Sequence, residues 1–260
     1  MSNYEKIAKE SRLKVLELVF LAQTSHIGSL LGCADIFAVL FEKIDLEKDK
    51  FVLGKSWAAA LLYFHLWRKG KITLEQLDSY CIGDSPFIGL AEPIAGLEQF
   101  FPFGIGSMGM GFPAAVGLAL SKKLKGEKGT VYCLISDGEM NCGTTHEAAL
   151  IAAHHELDNL MVIIDKNLMQ AMGSTSDILN IRKFDDLWES WGWSVGECDG
   201  HDFELMSVYF NDRDSGVPLV VIADTMKGKG WKRAENNNLY HYKQLSQEEY
   251  EEAKKEIWEK

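Results

Sequence analysis

Positive charge is in short supply on this chain: 27 lysines and arginines face 38 aspartates and glutamates, a formal net charge of −11. With no basic stripe to offset it, that balance argues against nonspecific binding to nucleic-acid phosphates. Paired cysteines are also missing. The five present (Cys33, Cys81, Cys133, Cys142, Cys198) are scattered and lack any C-x-x-C pair, so reduced thiols of a cytosolic protein are expected rather than a disulfide frame. Long apolar runs are absent too: Trp57 to Trp67 is interrupted by His65 and too short to span a bilayer. Met1 to Lys14 is polar and lacks the apolar core of a secretory signal, so a soluble, cytoplasmic protein is expected. No internal repeat, low-complexity segment or dividing linker interrupts the sequence, and a single domain over residues 1–260 is expected. A zinc-protease motif fails as well. After His146-Glu147 a histidine would be needed at position 150, where Leu150 stands, so His154, His155 and Glu156 read as helix-face residues.

What is present is an ordinary globular composition, 47% hydrophobic and 25% charged, on a chain long enough to bury a sizeable core. Apolar residues recur at helical spacing from Ile7 to Leu21, and a polar turn at Thr24 to Ser29 comes next. Ala34 to Phe41 and Ser56 to Arg68 read as further helices, and Thr73-Leu74-Glu75 has the cap chemistry of a short fourth. Cys81 to Gly111 has no clear period and reads as a long ordered loop, a type that is usually functional. Helix, strand, helix and strand succeed one another from Phe112 to Asp165. Phe184 to Trp191 and Phe203 to Phe210 then read as helices, Trp193 to Glu197 and Pro218 to Ala223 as strands, and Ser246 to Lys260 as a closing helix. This alternation indicates an α/β fold, a mostly parallel sheet with helices on both faces.

The chemistry-bearing pattern lies where two of these strands end. The run Val131 to Ser136 leads into Asp137-Gly138-Glu139, and Leu160 to Asp165 leads into Lys166-Asn167. Strand, helix, strand makes a βαβ unit whose parallel strands end on one edge, so Asp137 and Asn167 are neighbours in space although roughly thirty residues apart. A carboxylate, a carboxamide oxygen and nearby carbonyls suit a hard cation such as Mg²⁺ or Ca²⁺. Gly138 lets a phosphate approach the backbone, and the following helix offers it N-terminal amides. Alone, Asp-Gly is a turn and Asn a loop residue. A second glycine pattern, Gly104-Ile105-Gly106-Ser107-Met108-Gly109, matches the dinucleotide fingerprint G-x-G-x-x-G. The proline in Gln99-Phe100-Phe101-Pro102-Phe103 makes a poor strand ahead of it, which weighs against a nicotinamide dehydrogenase.

An Asp-Gly followed about thirty residues later by Asn resembles the thiamine-diphosphate signature, and the surroundings resemble the N-terminal domain of transketolases. The ordered segments Thr24 to Ser29, Asp49 to Leu53, Gly106 to Gly111, Ser136 to Glu139, Asp165 to Asn167, Gln170 to Gly173, Trp191 to Trp193, Asp199 to Asp202 and Thr225 to Gly230 carry the likeness. The resemblance implies thiamine diphosphate and Mg²⁺ (or Ca²⁺) as cofactors. It implies the side chains of Asp137 and Asn167 and the carbonyl of Met169 as metal ligands, with Gly138 and Glu139 at the diphosphate. Backbone groups near Gly106 and Met108 would hold the aminopyrimidine. His26 falls on a substrate-facing histidine and His241 on a late histidine near the diphosphate. Glu147 falls on a glutamate at the subunit interface. His201 reads as a turn-fixing residue, and Met226 to Gly230, with Lys227 and Lys229, as either a phosphate cradle or a lid.

Three positions depart from the family pattern. Trp57 and Leu90 stand where it has histidines, and Cys142 where it has a glutamate that relays protons between active sites. Neither an indole nor a butyl group accepts a proton, so ordinary pentose-phosphate transketolase activity is expected to be weak or absent. Transfer of a ketol or acyl unit between less usual substrates is the expectation, with a catalytically silent relic or a 2-oxo-acid-using enzyme as alternatives. In this family the activating glutamate belongs to a second, pyrimidine-binding domain, and no such segment is seen before Lys260. The resemblance therefore implies a split enzyme: a separate C-terminal subunit would supply that domain, in an α₂β₂ assembly.

Overall fold

The computed structural model describes residues 2–211 and 216–259. Five parallel strands, β1 (Lys50–Leu53), β2 (Val131–Ser136), β3 (Leu160–Lys166), β4 (Ser194–Asp199) and β5 (Leu219–Asp224), form one sheet in the order β1-β2-β3-β5-β4. The helices are α1 (Asn3–Leu21), α2 (Ile27–Lys43), α3 (Ala59–Arg68), α4 (Leu74–Asp78) and α5 (Gly111–Lys125), then α6 (Gly143–His154), α7 (Thr175–Ile178), α8 (Phe184–Ser190), α9 (Phe203–Asn211) and α10 (Gln247–Glu259).

Period-two side-chain alternation assigns each strand residue to one of two cores. Tyr132 and Leu134 of β2, Met161 and Ile163 of β3, and Val221 and Ala223 of β5 pack with α1, α2, α3 and α10. Their neighbours Val131, Cys133, Ile135, Val162, Ile164, Val220 and Ile222 pack with α5, α6 and α8, around Phe112, Trp188 and Trp193. Covered on both faces, the central strands must be apolar throughout, which is why they read as unbroken hydrophobic runs.

The expected parallel sheet with helices on both faces is what the chain forms. Some boundaries differ. The second helix runs from Ile27 rather than Ala34, because small and apolar residues continue the buried face back to His26. Lys50–Leu53 is a strand that the sequence did not announce, since four residues on an edge carry too little period to register. Cys81 to Gly111 is a loop of turns, and the fourth helix opens on the anticipated cap, a reciprocal Thr73–Gln76 box. The last helix is described to Glu259, and Lys260, like Met1, lies outside the described residues. No two of the five cysteines pair, and no helix among the described residues is long and apolar enough to cross a membrane.

Because Ile163 and Ile164 face opposite cores and both are fully buried, Ile163→Ala and Ile164→Ala should each cost about 2–5 kcal/mol in urea unfolding. A loss below about 1 kcal/mol for either would contradict two-sided burial.

Candidate functional site

In the parallel β2–β3 register Ser136 lies opposite Asp165, so the residues that leave these strands leave at one edge. Asp137 opens a 3-10 turn (Asp137–Asn141) and is buried. Its Oδ2 accepts the Leu168 N–H at 2.6 Å and its Oδ1 the Gly138 N–H at 2.9 Å. Asn167 Oδ1 accepts the Met169 N–H at 3.1 Å, while its Nδ2 donates to Asp165 Oδ2 at 3.3 Å. Leu168 between them takes a left-handed φ of 61°, a conformation that costs a non-glycine residue energy and clusters at functional sites. Asp137, Asn167 and Met169 thus meet in one loop junction, as the sequence led us to expect.

Burial, reinforced by the negative charge of Asp165, pushes the Asp137 carboxyl up to about 7. Lys55, just past β1, is ion-paired with Asp165, and the Thr225 hydroxyl, just past β5, donates to the same carboxylate. Three buried carboxyl groups, Asp137, Glu139 and Asp165, are thus set against two buried lysines, Lys55 and Lys227. A divalent cation beside Asp137 would balance the remainder, and its all-oxygen donor set suits Mg²⁺, which keeps waters and phosphate oxygens as its other ligands. Among the described residues no group of three or more His, Cys, Asp or Glu could hold a metal, which removes the zinc reading of the α6 histidines. His146 instead lies with Nε2 2.7 Å from the Met140 carbonyl oxygen.

The turn after β2 corrects one expectation. No long helix starts at Gly138; the 3-10 turn intervenes and α6 begins at Gly143, so the amides nearest the strand end are those of the turn itself. Gly138 is buried, and a Cβ there would stand 3.4 Å from Gln170 Cγ, so the Gln170 side chain lies over this glycine. The Glu139 carboxylate is buried and engaged within the protein. It accepts from Ser136 N at 2.8 Å and Oγ at 3.3 Å, and from Gly109 N at 3.3 Å, while burial raises its pKa. Any ligand contact by Glu139 falls to its backbone, and its side chain ties the glycine loop to the turn. Gly109 needs its positive φ of 78°, and a Cβ there would meet Thr144 Oγ1 at 2.6 Å. Gly106 and Met108 lie exposed in the loop leading to it, and no strand precedes that loop, which removes the dinucleotide reading.

On the other side of the strand ends, His26, His241 and Lys227 converge. His26 caps α2 with a left-handed φ of 72°, its N–H donating to the His241 carbonyl oxygen at 2.9 Å. Its ring stacks on Trp57 at 4.3 Å and meets the His241 ring edge-on at 4.7 Å. Lys227, only 1% exposed, places Nζ 3.0 Å from His241 Nδ1 and 3.1 Å from Asn238 Oδ1. Burial and the nearby lysines lower His26 to about 4 and His241 to about 3, and burial with Lys55 lowers Lys227 to about 8. Both imidazoles are neutral at pH 7. A cavity of about 430 Å³, lined in part by His26, Trp57, Tyr80, Cys81 and Tyr242, opens beside them.

Sequence reasoning missed the Lys55–Asp165–Thr225 cluster, because nothing in spacing marks which lysine will reach a given strand end. It placed Lys227 only loosely: this side chain is packed into the site rather than carried on a lid. His201 does hold a turn, through its N–H to Asp199 Oδ1 at 2.9 Å. Trp57 covers His26, Leu90 accepts the Tyr63 hydroxyl at its carbonyl, and Cys142 packs near Gly109; none supplies a base where the family pattern has one.

Comparison with known proteins agrees with this geometry. The family model described as transketolase, thiamine diphosphate binding domain, matches residues 3–259. One of the subunits of the apulose-4-phosphate transketolase of Actinobacillus succinogenes is 33% identical over 98% of this chain and 97% of its own length. A 6-deoxy-6-sulfo-D-fructose transketolase subunit of a Clostridium species is 32% identical over 95% of this chain and 93% of its own. The crystal structure of the Campylobacter jejuni transketolase superposes with a TM-score of 0.87 at 26% identity, covering 99% of this chain. This chain spans 43% of that transketolase.

Unfolded imidazoles take up protons at a pH where His26 and His241 do not, so acidification from 6.5 toward 4 should favour the unfolded chain. Asp137 and Glu139, whose carboxyls are raised in the fold, act in the opposite direction, so the histidine part is read by difference: in chemical denaturation across that range His26→Asn or His241→Asn should lose less stability on acidification than the native chain. An unchanged slope in both variants would contradict the buried, neutral histidines.

Proposed function

The chain belongs to the transketolase family, as a thiamine-diphosphate-binding domain, and from this membership and the strand-end seat we propose that it is the N-terminal subunit of a split ketol-transferring enzyme. The observation that carries the reading is the Asp137–Asn167 junction, where a buried carboxyl raised by burial and by Asp165 meets a carboxamide oxygen beside Gly138. In this reading the Asp137 carboxylate, Asn167 Oδ1 and the Met169 carbonyl hold Mg²⁺, which binds the diphosphate. The backbone of Gly138 and Glu139, with Lys227 and His241, receives the remaining phosphate charge. Backbone groups near Gly106 and Met108 support the aminopyrimidine. Bound thiamine diphosphate would supply the carbon nucleophile and electron sink for ketol transfer. His26, neutral and held at Nδ1 by Ser25 Oγ at 2.7 Å, faces the substrate as a hydrogen-bonding group.

The domain is read as a single diphosphate-binding unit that works with a separate pyrimidine-domain subunit, in an α₂β₂ assembly and in the cytoplasm. Two facts support the partner. The apulose-4-phosphate and sulfofructose relatives are named as subunits, and large apolar side chains stand exposed near the seat. Met108, Met110, Leu168, Met172 and Leu179 are among them, and an apolar rim of this kind marks an interaction surface. The donor is inferred from the altered pocket. Without histidines at 57 and 90, and with relatives named for apulose 4-phosphate and a sulfonated fructose, a modified ketose fits better than a pentose phosphate.

Isolated from its own cells in magnesium-containing buffer, the protein should appear in a native mass spectrum with a second chain and a thiamine-diphosphate increment, which Asp137→Ala should remove. A cofactor-free homo-oligomer would turn the reading to a silent relic of the fold. On the complex, turnover of an ordinary ketose-phosphate and aldose-phosphate pair should lie on the order of 100-fold or more below that of the true pair. Robust pentose-phosphate turnover would refute the substrate assignment.

A further inference from the structure

His201 lies outside the seat, yet it is joined to it by an unbroken chain of bonds. The segment that carries Lys227 runs along a stripe of α2 marked by Gly28, Gly32 and Asp35, positions that share one helix face. At the first, the Gly228 N–H donates to the Gly28 carbonyl at 2.8 Å. At the second, a Cβ on Gly32 would stand 3.0 Å from the Met226 carbonyl oxygen and 3.3 Å from Lys227 Cα, so the backbone rests directly on the helix. At the third, His201 spans between Asp35 and the segment.

The tautomer is set by the partners. The Met226 N–H can only donate, and it lies 2.8 Å from His201 Nε2, so that nitrogen carries the lone pair. The ring proton is therefore on Nδ1, which donates to Asp35 Oδ2 at 2.7 Å. Asp35 in turn is gripped by Arg12 through two parallel bonds of 2.8 and 2.7 Å, and Arg12 Nε donates to the Leu31 carbonyl at 3.0 Å. Burial opposes the Asp35 charge, but Arg12 and His201 outweigh it and hold the carboxyl at about 2. The anchor is thus ionised, bidentate and immobile at any working pH.

We propose that His201 is a positioning residue: clamped to the Arg12–Asp35 pair, it holds the Met226 backbone on α2 and so sets the Lys227 ammonium against His241 and Asn238. The link is one peptide long. Met226 is fixed at its N–H, and the next side chain is the one that enters the site. Its consequence for cofactor binding rests on the proposed diphosphate seat, whereas the mechanical claim does not.

Two substitutions separate the bonds. His201→Asn reproduces the Nδ1 position and keeps the Asp35 bond but is too short for Met226. His201→Gln reproduces the Nε2 position and keeps an acceptor for Met226 while losing Asp35. His201 opens onto a cavity of about 720 Å³, so neither change seals a void into the core. Lys227 can be followed by NMR in the full chain, free of cofactor, with ¹³C-labelled lysine. Its titration should centre near 8 in the native protein. His201→Asn should move it up by about one pH unit, as the ammonium gains solvent, and His201→Gln should leave it near the native value. An unmoved midpoint in folded His201→Asn, or equal shifts in both variants, would overturn the proposal. Calorimetric titration of the native complex, isolated with its partner subunit, with thiamine diphosphate and Mg²⁺ then reads the second half: weakened several-fold by His201→Asn and preserved by His201→Gln. Should the native complex bind no thiamine diphosphate, the proposed function fails while the lysine titration still decides the role of His201.

Discussion

Asp165, next to the last residue of β3, is fully buried, and three strand ends depend on it. Lys55 reaches it from beyond β1, Thr225 donates from beyond β5, and Asn167 turns back to it from its own loop. Removing one member of a buried ion pair leaves the other charge uncompensated, typically a loss of about 3–5 kcal/mol. Such a cluster contributes less to net stability than to uniqueness of register here. Lys55 must pass over the end of β2 to reach Asp165, so the loops after β1, β3 and β5 are fixed relative to one another, and the turn at Asp137 is enclosed between them.

The charge arrangement at this edge is a result of that enclosure. With Lys55 committed to Asp165, Asp137 has only the amides of Gly138 and Leu168 as hydrogen-bond partners, too little to keep a buried carboxylate fully ionised. On the opposite side Lys227 is a buried cation whose Nζ is bonded to neutral groups, His241 and Asn238. The two sides of this edge thus carry opposite demands, a buried carboxyl that burial pushes up and a buried ammonium that burial pushes down. In the proposed function a metal-bound diphosphate would meet both.

The sequence made the central part of this legible because parallel strands buried on both faces are continuous apolar runs, and the residues just past each run must lie at one edge. Asp137 and Asn167 could be paired on that ground alone. The edge strand Lys50–Leu53 was too short to be seen, and the first seven residues of α2 were hidden because Gly28, Ser29 and Gly32 among them look like a continuing turn. Lys55, Asp165 and the Arg12–Asp35–His201 relay were not legible at all. Their partners lie 110, 23 and 166 residues apart, and a charged residue inside an apolar run looks the same whether it is paired or exposed. The internal bonds of the Glu139 carboxylate, to Ser136 and Gly109, were not legible either, since nothing in spacing shows that a carboxylate in a turn will brace a loop 30 residues away.

The two halves of the site are built differently, and this bears on specificity. The side around Asp137 and Asn167 rests on strand ends locked by buried charge, where a substitution disturbs the sheet itself. The side around His26, Trp57, Tyr80 and Tyr242, proposed to face substrate, lies outside the strands. Replacing a histidine by Trp57 is tolerated there because the indole stacks on His26 at an interplanar angle of 7° and needs no polar partner at its face. That stacking covers one face of His26 and makes this wall of the cavity more apolar. Under the proposed function, substrate choice would change through these side chains while the proposed cofactor seat, constrained by Asp165 and its partners, stays as it is.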